Sequence, residues 1–333
     1  MASHRPPGLT GRDHTFREAG AKFLKENQHK RSIGDDAMHL RALHRFIGAL
    51  PLRRVHMGSL QEFIAKRRKD GVKTTTINAA LAVTRHILKL AESEWIDDDG
   101  DTWLERAPKI KLLTVRDARK AYPLSRAEQA ALFAQLPDHL AAMALFKVNT
   151  GCREWEVCNL RWDYEVKVPE LNTSVFIIPG EKVKNAQDRL VVLNSIAKSV
   201  VEGQRGVHPE YVFVYVPPRP SREAGPMDRM NATAWRNARQ RAADQWELQR
   251  GEQAPQGFRR VRVHDLKHTF GRRLRAAGVS FEDRQDLLGH WNGRITTHYS
   301  RAELSNLMAA AERVCPAATD TLLPETILRT RSG

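Results

Sequence analysis

The stretch "VHDLKHTF" (Val263–Phe270) crowds His264, Asp265, Lys267 and His268 together beside little apolar bulk. On a helix starting near His264, residues three and four apart lie together. His264, Lys267 and His268 then project from one face while Leu266, Phe270 and Leu274 bury the opposite one. That spacing imitates the HExxH zinc helix, but position 265 holds Asp, shorter than the Glu that serves there as base, and a cationic Lys267 opposes a dication. Two histidines hydrogen-bonded inside an ordinary core helix are the plain structural alternative. A phosphate site uses every member, because imidazole moves a proton while ammonium and imidazole N–H groups hold anionic oxygens.

One helix cannot enclose a phosphate, so further donors are required. In "TGCREWEVCNLRW" (150–162) Arg153 follows a glycine turn, and Glu156 sits one helical turn later, able to brace the guanidinium; read plainly, the two are a surface ion pair. "GEKVKNAQDRLVVLN" (180–194) sets Lys182 and Lys184 in a β-hairpin turn, where a flexible lysine can reach a site or simply remain solvated. "LLGHWNGRITTHYSR" (287–301) supplies His290 directly after a helix-ending Gly289, then Tyr299, which on its own reads as packing.

The bulk numbers fit an anionic partner. The chain has 333 residues, a hydrophobic fraction of 41% and a formal charge of +15, with a pI near 10.0. That length suggests two globular domains, and the charge favours nucleic acid or an anionic membrane. No run approaches the roughly 18 apolar residues of a spanning helix, and the opening "MASHRPPGLTGRDHTF" lacks the apolar centre of a signal peptide, so a cytoplasmic location is expected. Cys152, Cys158 and Cys315 are odd in number and show no CxxC spacing, which implies neither a disulfide framework nor a thiolate metal site.

The expected order is an N-terminal tail (1–11), a helical DNA-binding domain (12–95), a linker (96–121), a second domain (122–314) and a C-terminal tail (315–333). "TFREAGAKFLKENQHKR", "DDAMHLRALHRFIGAL" and "SLQEFIAKRRKDG" are amphipathic. The next helix, "TTTINAALAVTRHILKLAESEW", turns Ile77, Leu81, Thr84 and Leu88 inward and Asn78, Arg85 and Lys89 outward. From 96 to 121 helical periodicity is lost and charges mix, as in a linker. Ser125 with Glu128 forms a capping box, and "EVKVPE", "TSVFIIPG" and "DRLVVLN" read as a small antiparallel sheet before helices resume at Ser195. The fold class is thus mainly α with one small antiparallel β-sheet.

Taken together and in order, these boxes resemble the tyrosine recombinase (phage integrase) family: an Arg in TGxRxxE, a hairpin Lys, an HxxR-like box, then LGH with a Tyr nine residues on. The likeness spans about 122 to 305, and the helical segment before it resembles the family's SAM-like core-binding domain. The resemblance implies a site-specific integrase that cleaves and rejoins DNA through a 3′-phosphotyrosyl intermediate, moving a prophage or similar element. It needs no metal or other cofactor. Arg153, Lys267 and His290 are expected to hold the phosphate, with Glu156 and His268 in support. Tyr299 is the expected nucleophile, His264 accepts or positions its proton, and Lys184, rather than Lys182, is the acid. Lys73, Thr75, Asn78 and Arg85 are expected to meet DNA. Expected partners are duplex DNA, three further copies in a homotetramer on two duplexes, and accessory directionality or DNA-bending proteins. Lys267 departs from the family's arginine, so a weakened, DNA-binding-only descendant is the rival, and a type IB topoisomerase-like strand relaxer is another.

Overall fold

The computed structural model describes residues 13–183, 187–217, 224–290 and 301–316, and the chain divides into two units, 1–120 and 121–333. No described helix is long and apolar enough to cross a membrane.

Unit 1 is built from four helices: α1 (Phe16–Glu26), α2 (Ile33–Ile47), α3 (Gln61–Lys69) and α4 (Thr74–Ser93). Thr15 starts α1 with a capping box, its hydroxyl accepting from the Glu18 amide while the Glu18 carboxylate accepts from the Thr15 amide. Phe16, Phe23, Leu40, Leu43, Ile47 and Phe63 meet in the core, each worth about 1.5–3 kcal/mol on burial. Along α4 the inward face is Ile77, Leu81, Thr84 and Leu88, and the Thr84 hydroxyl donates to the Ala80 carbonyl at 3.0 Å, so its one polar atom is satisfied.

The segment expected as a linker has contacts of its own. Residues 96–117 contain no long regular element, yet they pack on these helices. Leu104 and Ile110 enter the core, and Trp103 stacks on His14 with ring centroids 3.6 Å apart. The Asn78 amide exchanges two hydrogen bonds with the backbone of Leu113, both 2.8 Å, and Asp117 accepts from the Thr74 amide at 2.8 Å. Apolar residues scattered among charges hid this, because an irregular segment buries side chains without showing a period.

Unit 2 opens with α5 (Arg126–Phe133), capped as expected by Ser125 and Glu128, then α6 (Asp138–Thr150) and the single-turn α7 (Glu154–Cys158). Three antiparallel strands follow in sequential order, β1 (Glu165–Val168), β2 (Thr173–Ile178) and β3 (Arg189–Val192), with Phe176 opposite Val191 and Ile178 opposite Arg189. The later named elements among the described residues are helices: α8 (Ser195–Glu202), α9 (Thr233–Arg250), α10 (Gln256–Arg259), α11 (Val263–Ala276), α12 (Phe281–Leu288) and α13 (Arg301–Glu312). α6 is buried along most of its length and packs against α11, and this contact brings the first and third sequence boxes together.

Candidate active site

Two glycines let the polar boxes converge. Gly151 ends α6 in the left-handed region (φ +66°), and a Cβ there would stand 2.7 Å from the Phe270 ring on α11. Gly289 ends α12 in the same way (φ +59°), and its Cβ would fall 2.5 Å from Arg189 Nε. Only glycine gives both the turn and the room.

After the first turn, Arg153 leads into α7. Its amide donates to Glu156 Oε2 and its Nη1 to Oε1, each at 2.7 Å, while its Nη2 donates to the Gly289 carbonyl at 3.1 Å. Glu156 is 2% exposed. Burial works to raise its pKa, but Arg189 and Arg153 together outweigh that and hold the carboxyl below its usual range. The same local device starts α11, where the buried Asp265 accepts from the Arg262 amide at 2.8 Å and from the Tyr122 amide at 3.1 Å. Asp265 therefore belongs to the helix start.

Lys267, 5% exposed, donates from its ammonium to the Gly151 carbonyl at 2.7 Å and to the Leu288 carbonyl. Burial first, then the positive charges of Arg189 and Arg153, bring its pKa down to about 7. His264 is lowered to about 4, by burial and then by Lys147, His268 and Lys267, and is neutral at pH 7. Its ring meets that of His268 edge-on, 4.9 Å between centroids. His290 is lowered too, by burial and then by Lys267, Arg153 and Arg189. His264, Lys267, His268 and His290 line one open depression.

Sequence reasoning missed Arg189. This side chain, 4% exposed at the start of β3, donates to the carbonyls of Leu190 (2.6 Å), Asp286 (2.8 Å) and Leu287 (2.6 Å). The last carbonyls of α12 are thus met by three cations, with Arg189 on 286 and 287, Lys267 on 288 and Arg153 on 289. A helix C-terminus carries partial negative charge and unsatisfied oxygens, which is the electrostatic reason cations gather there. The available signal was an arginine opening an apolar strand beside a hairpin, a costly place for a charge without partners. Lys147, fully buried on α6, was missed as well; its ammonium donates to the Cys152 carbonyl, and burial lowers its pKa to about 8.

Lys182 is exposed, 3.2 Å from Glu181. Lys184 and Tyr299 lie outside the described residues. Lys73, Thr75 and Arg85 are exposed on or beside α4, whereas Asn78 is committed to Leu113. Among the described residues no group of three or more His, Cys, Asp or Glu side chains is placed to hold a metal.

Helix-end cations beside the neutral His264 imidazole define a site suited to phosphoryl transfer on a mainly helical scaffold. The model of the phage integrase family matches residues 124–306, more than half of the chain, and the protein belongs to that family. It is accordingly a tyrosine site-specific recombinase. It is 25% identical over 334 residues to the integrase of Salmonella phage P22, covering 91% of this chain and 80% of that one. To the tyrosine recombinase XerA of Thermococcus kodakarensis it is 26% identical, covering 77% and 80%. In fold it is similar to the Tn1549 transposon integrase in complex with circular intermediate DNA (TM-score 0.59, 18% identity, 87% of this chain and 98% of that one). A lambda integrase tetramer bound to a Holliday junction is similar as well (TM-score 0.60, 14% identity, 87% and 81%).

Proposed function

We propose that Arg153, Lys267 and His290 hold the nonbridging oxygens of one DNA phosphate while Tyr299 attacks the phosphorus. The bond from phosphorus to the phenol oxygen forms and that to the 5′-oxygen breaks, leaving a 3′-phosphotyrosyl link. Lys184 gives its proton to the departing 5′-oxygen. His264, neutral at pH 7, takes the phenol proton as the new bond forms, with His268 packed against its ring. The covalent link conserves the bond energy, so the 5′-hydroxyl of a second strand reverses the chemistry without a nucleotide.

The observation that carries this reading is the meeting of Arg153 and Lys267 at one helix end. Lys267 donates two of its three N–H groups to Gly151 and Leu288 and has one left for a phosphate oxygen. The substitution for the family's arginine therefore preserves a donor, and its charge below about pH 7, which favours a working enzyme over a DNA-binding-only relative. The lambda integrase tetramer on a Holliday junction supports a homotetramer of this chain acting on two duplexes. In unit 1 we assign the duplex contacts to Lys73, Thr75 and Arg85. The resemblance to the phage P22 integrase supports integration or excision of a mobile element as the task of this chain, and accessory proteins would set its direction.

A nicked suicide substrate tests the chemistry. Wild-type protein should be trapped on DNA in a denaturing gel and Tyr299→Phe should not; a trapped Tyr299→Phe protein makes the nucleophile some other residue.

A further inference from the structure

The depression holding the reacting side chains continues well past them. Its volume is about 850 Å³, and its far half is walled by Arg272 and Arg275 on α11 and by Phe281 and Arg284 on α12. None of the described residues lining it is acidic. Arg272 and Arg275 are exposed, and neither side chain makes an ion pair or hydrogen bond among the described residues. Across the groove Arg284 donates from Nε to the Ser280 carbonyl at 3.2 Å and lies 5.7 Å from the centre of the Phe281 ring, which is 59% exposed.

Spacing along α11 gives this patch a direction. His264, His268, Arg272 and Arg275 fall on one helical stripe. At 1.5 Å per residue, Arg272 stands about 6 Å and Arg275 about 10 Å beyond His268. A DNA strand carries one phosphate per about 3.4 Å of duplex axis, and more than that along its own path. The stripe is therefore matched to the reacting phosphate and the next one or two on the same strand. Guanidiniums that make no ion pair among the described residues are free to meet such a ligand, and their planar forks suit phosphate oxygens.

We propose that Arg272 and Arg275, with Arg284 opposite, form a second subsite that binds the backbone phosphates flanking the cleaved one, with Phe281 as an apolar wall against the deoxyribose. This rests on the recombinase reading and adds to it which residues grip the backbone beside the scissile bond.

The test uses the full chain and suicide duplexes carrying one neutral methylphosphonate at each of the positions on either side of the cleaved bond. Wild-type affinity should fall about tenfold at one or two adjacent flanking positions on one side. The R272A/R275A pair should bind unmodified DNA more weakly, lose nothing further at those positions, and show a log Kd against log salt slope shallower by about two. R272K/R275K, which keeps the charge, should retain the wild-type slope and controls for folding. The subsite is overturned if R272A/R275A loses as much as wild type at every methylphosphonate, or if its salt slope is unchanged, as it would be were the groove filled by polypeptide. Trapping of wild-type protein on unmodified DNA is scored separately, so loss of the recombinase reading is distinguishable from loss of the subsite.

Discussion

Arg153 donates from Nη2 to the carbonyl oxygen of Gly289 at 3.1 Å, joining two polar boxes separated by 136 positions in the chain. The contact aims the guanidinium before any DNA arrives. It also makes the geometry of the Arg153 site depend on how α12 ends.

Lys267 should give the enzyme a pH dependence that an arginine would lack. Its pKa in the fold is lowered to about 7, so the ammonium needed for phosphate is lost as pH rises through that value. The quotient of single-turnover cleavage rate and Kd reports the DNA-free enzyme. The ratio of Lys267→Arg to wild type in this quotient should climb about tenfold per unit above pH 7, because guanidinium stays charged. A flat ratio from pH 6.5 to 9 would show Lys267 fully charged. Lys267→Ala should slow cleavage by about tenfold to a thousandfold at pH 6.5.

Glu156 holds Arg153 through its side chain and its backbone, and lies 4.0 Å from Arg189 Nε. Glu156→Gln leaves that arginine pair without a buried counter-charge and should destabilise unit 2 by about 3 kcal/mol at pH 7. The carboxyl pKa is lowered in the fold, so its stabilisation is present above the unfolded carboxylate range and fades as pH falls through the folded value. The Tm deficit of the variant should therefore shrink between pH 5 and pH 3. A deficit constant with pH would place its origin in packing.

Gly289 is closed to other residues by its φ of +59° and by Arg189. Gly289→Ala should lose about 1–3 kcal/mol in denaturant unfolding, and cleavage should fall with it, because His290 and the Gly289 carbonyl both move. Combining it with Arg189→Ala should cost less than the two separately, since the obstructing Cδ and Nε are gone; strict additivity would refute the clash.

On α4, Asn78 and Arg85 should behave differently. Asn78→Ala removes both bonds to Leu113 and should lower the stability of unit 1 by about 1–2 kcal/mol, leaving the salt dependence of DNA binding unchanged. Arg85→Ala should leave stability unchanged and reduce the salt slope by about one. Equal slopes in the two variants would move the duplex contact off this helix.

The sequence was legible where partners are close along the chain. The Ser125 capping box, the inward stripe of α4, the three strands and the Glu156 brace on Arg153 all rest on spacings of two to four residues. What escaped depends on contacts that no local period records. Arg189 reaches carbonyls 97 and 98 positions away, and Asn78 clasps a backbone 35 positions on. Arg189 looked like the polar end of a strand, and Asn78 like one more outward residue of a DNA-facing helix.

The end of α12 governs more than orientation. Its four successive oxygens from Asp286 to Gly289 engage Arg189, Lys267 and Arg153 together, beside the separate bonds of these cations to Leu190, Gly151 and Glu156. Fraying one helical turn would take one hold from each of the three at once, and rewinding it would restore all three.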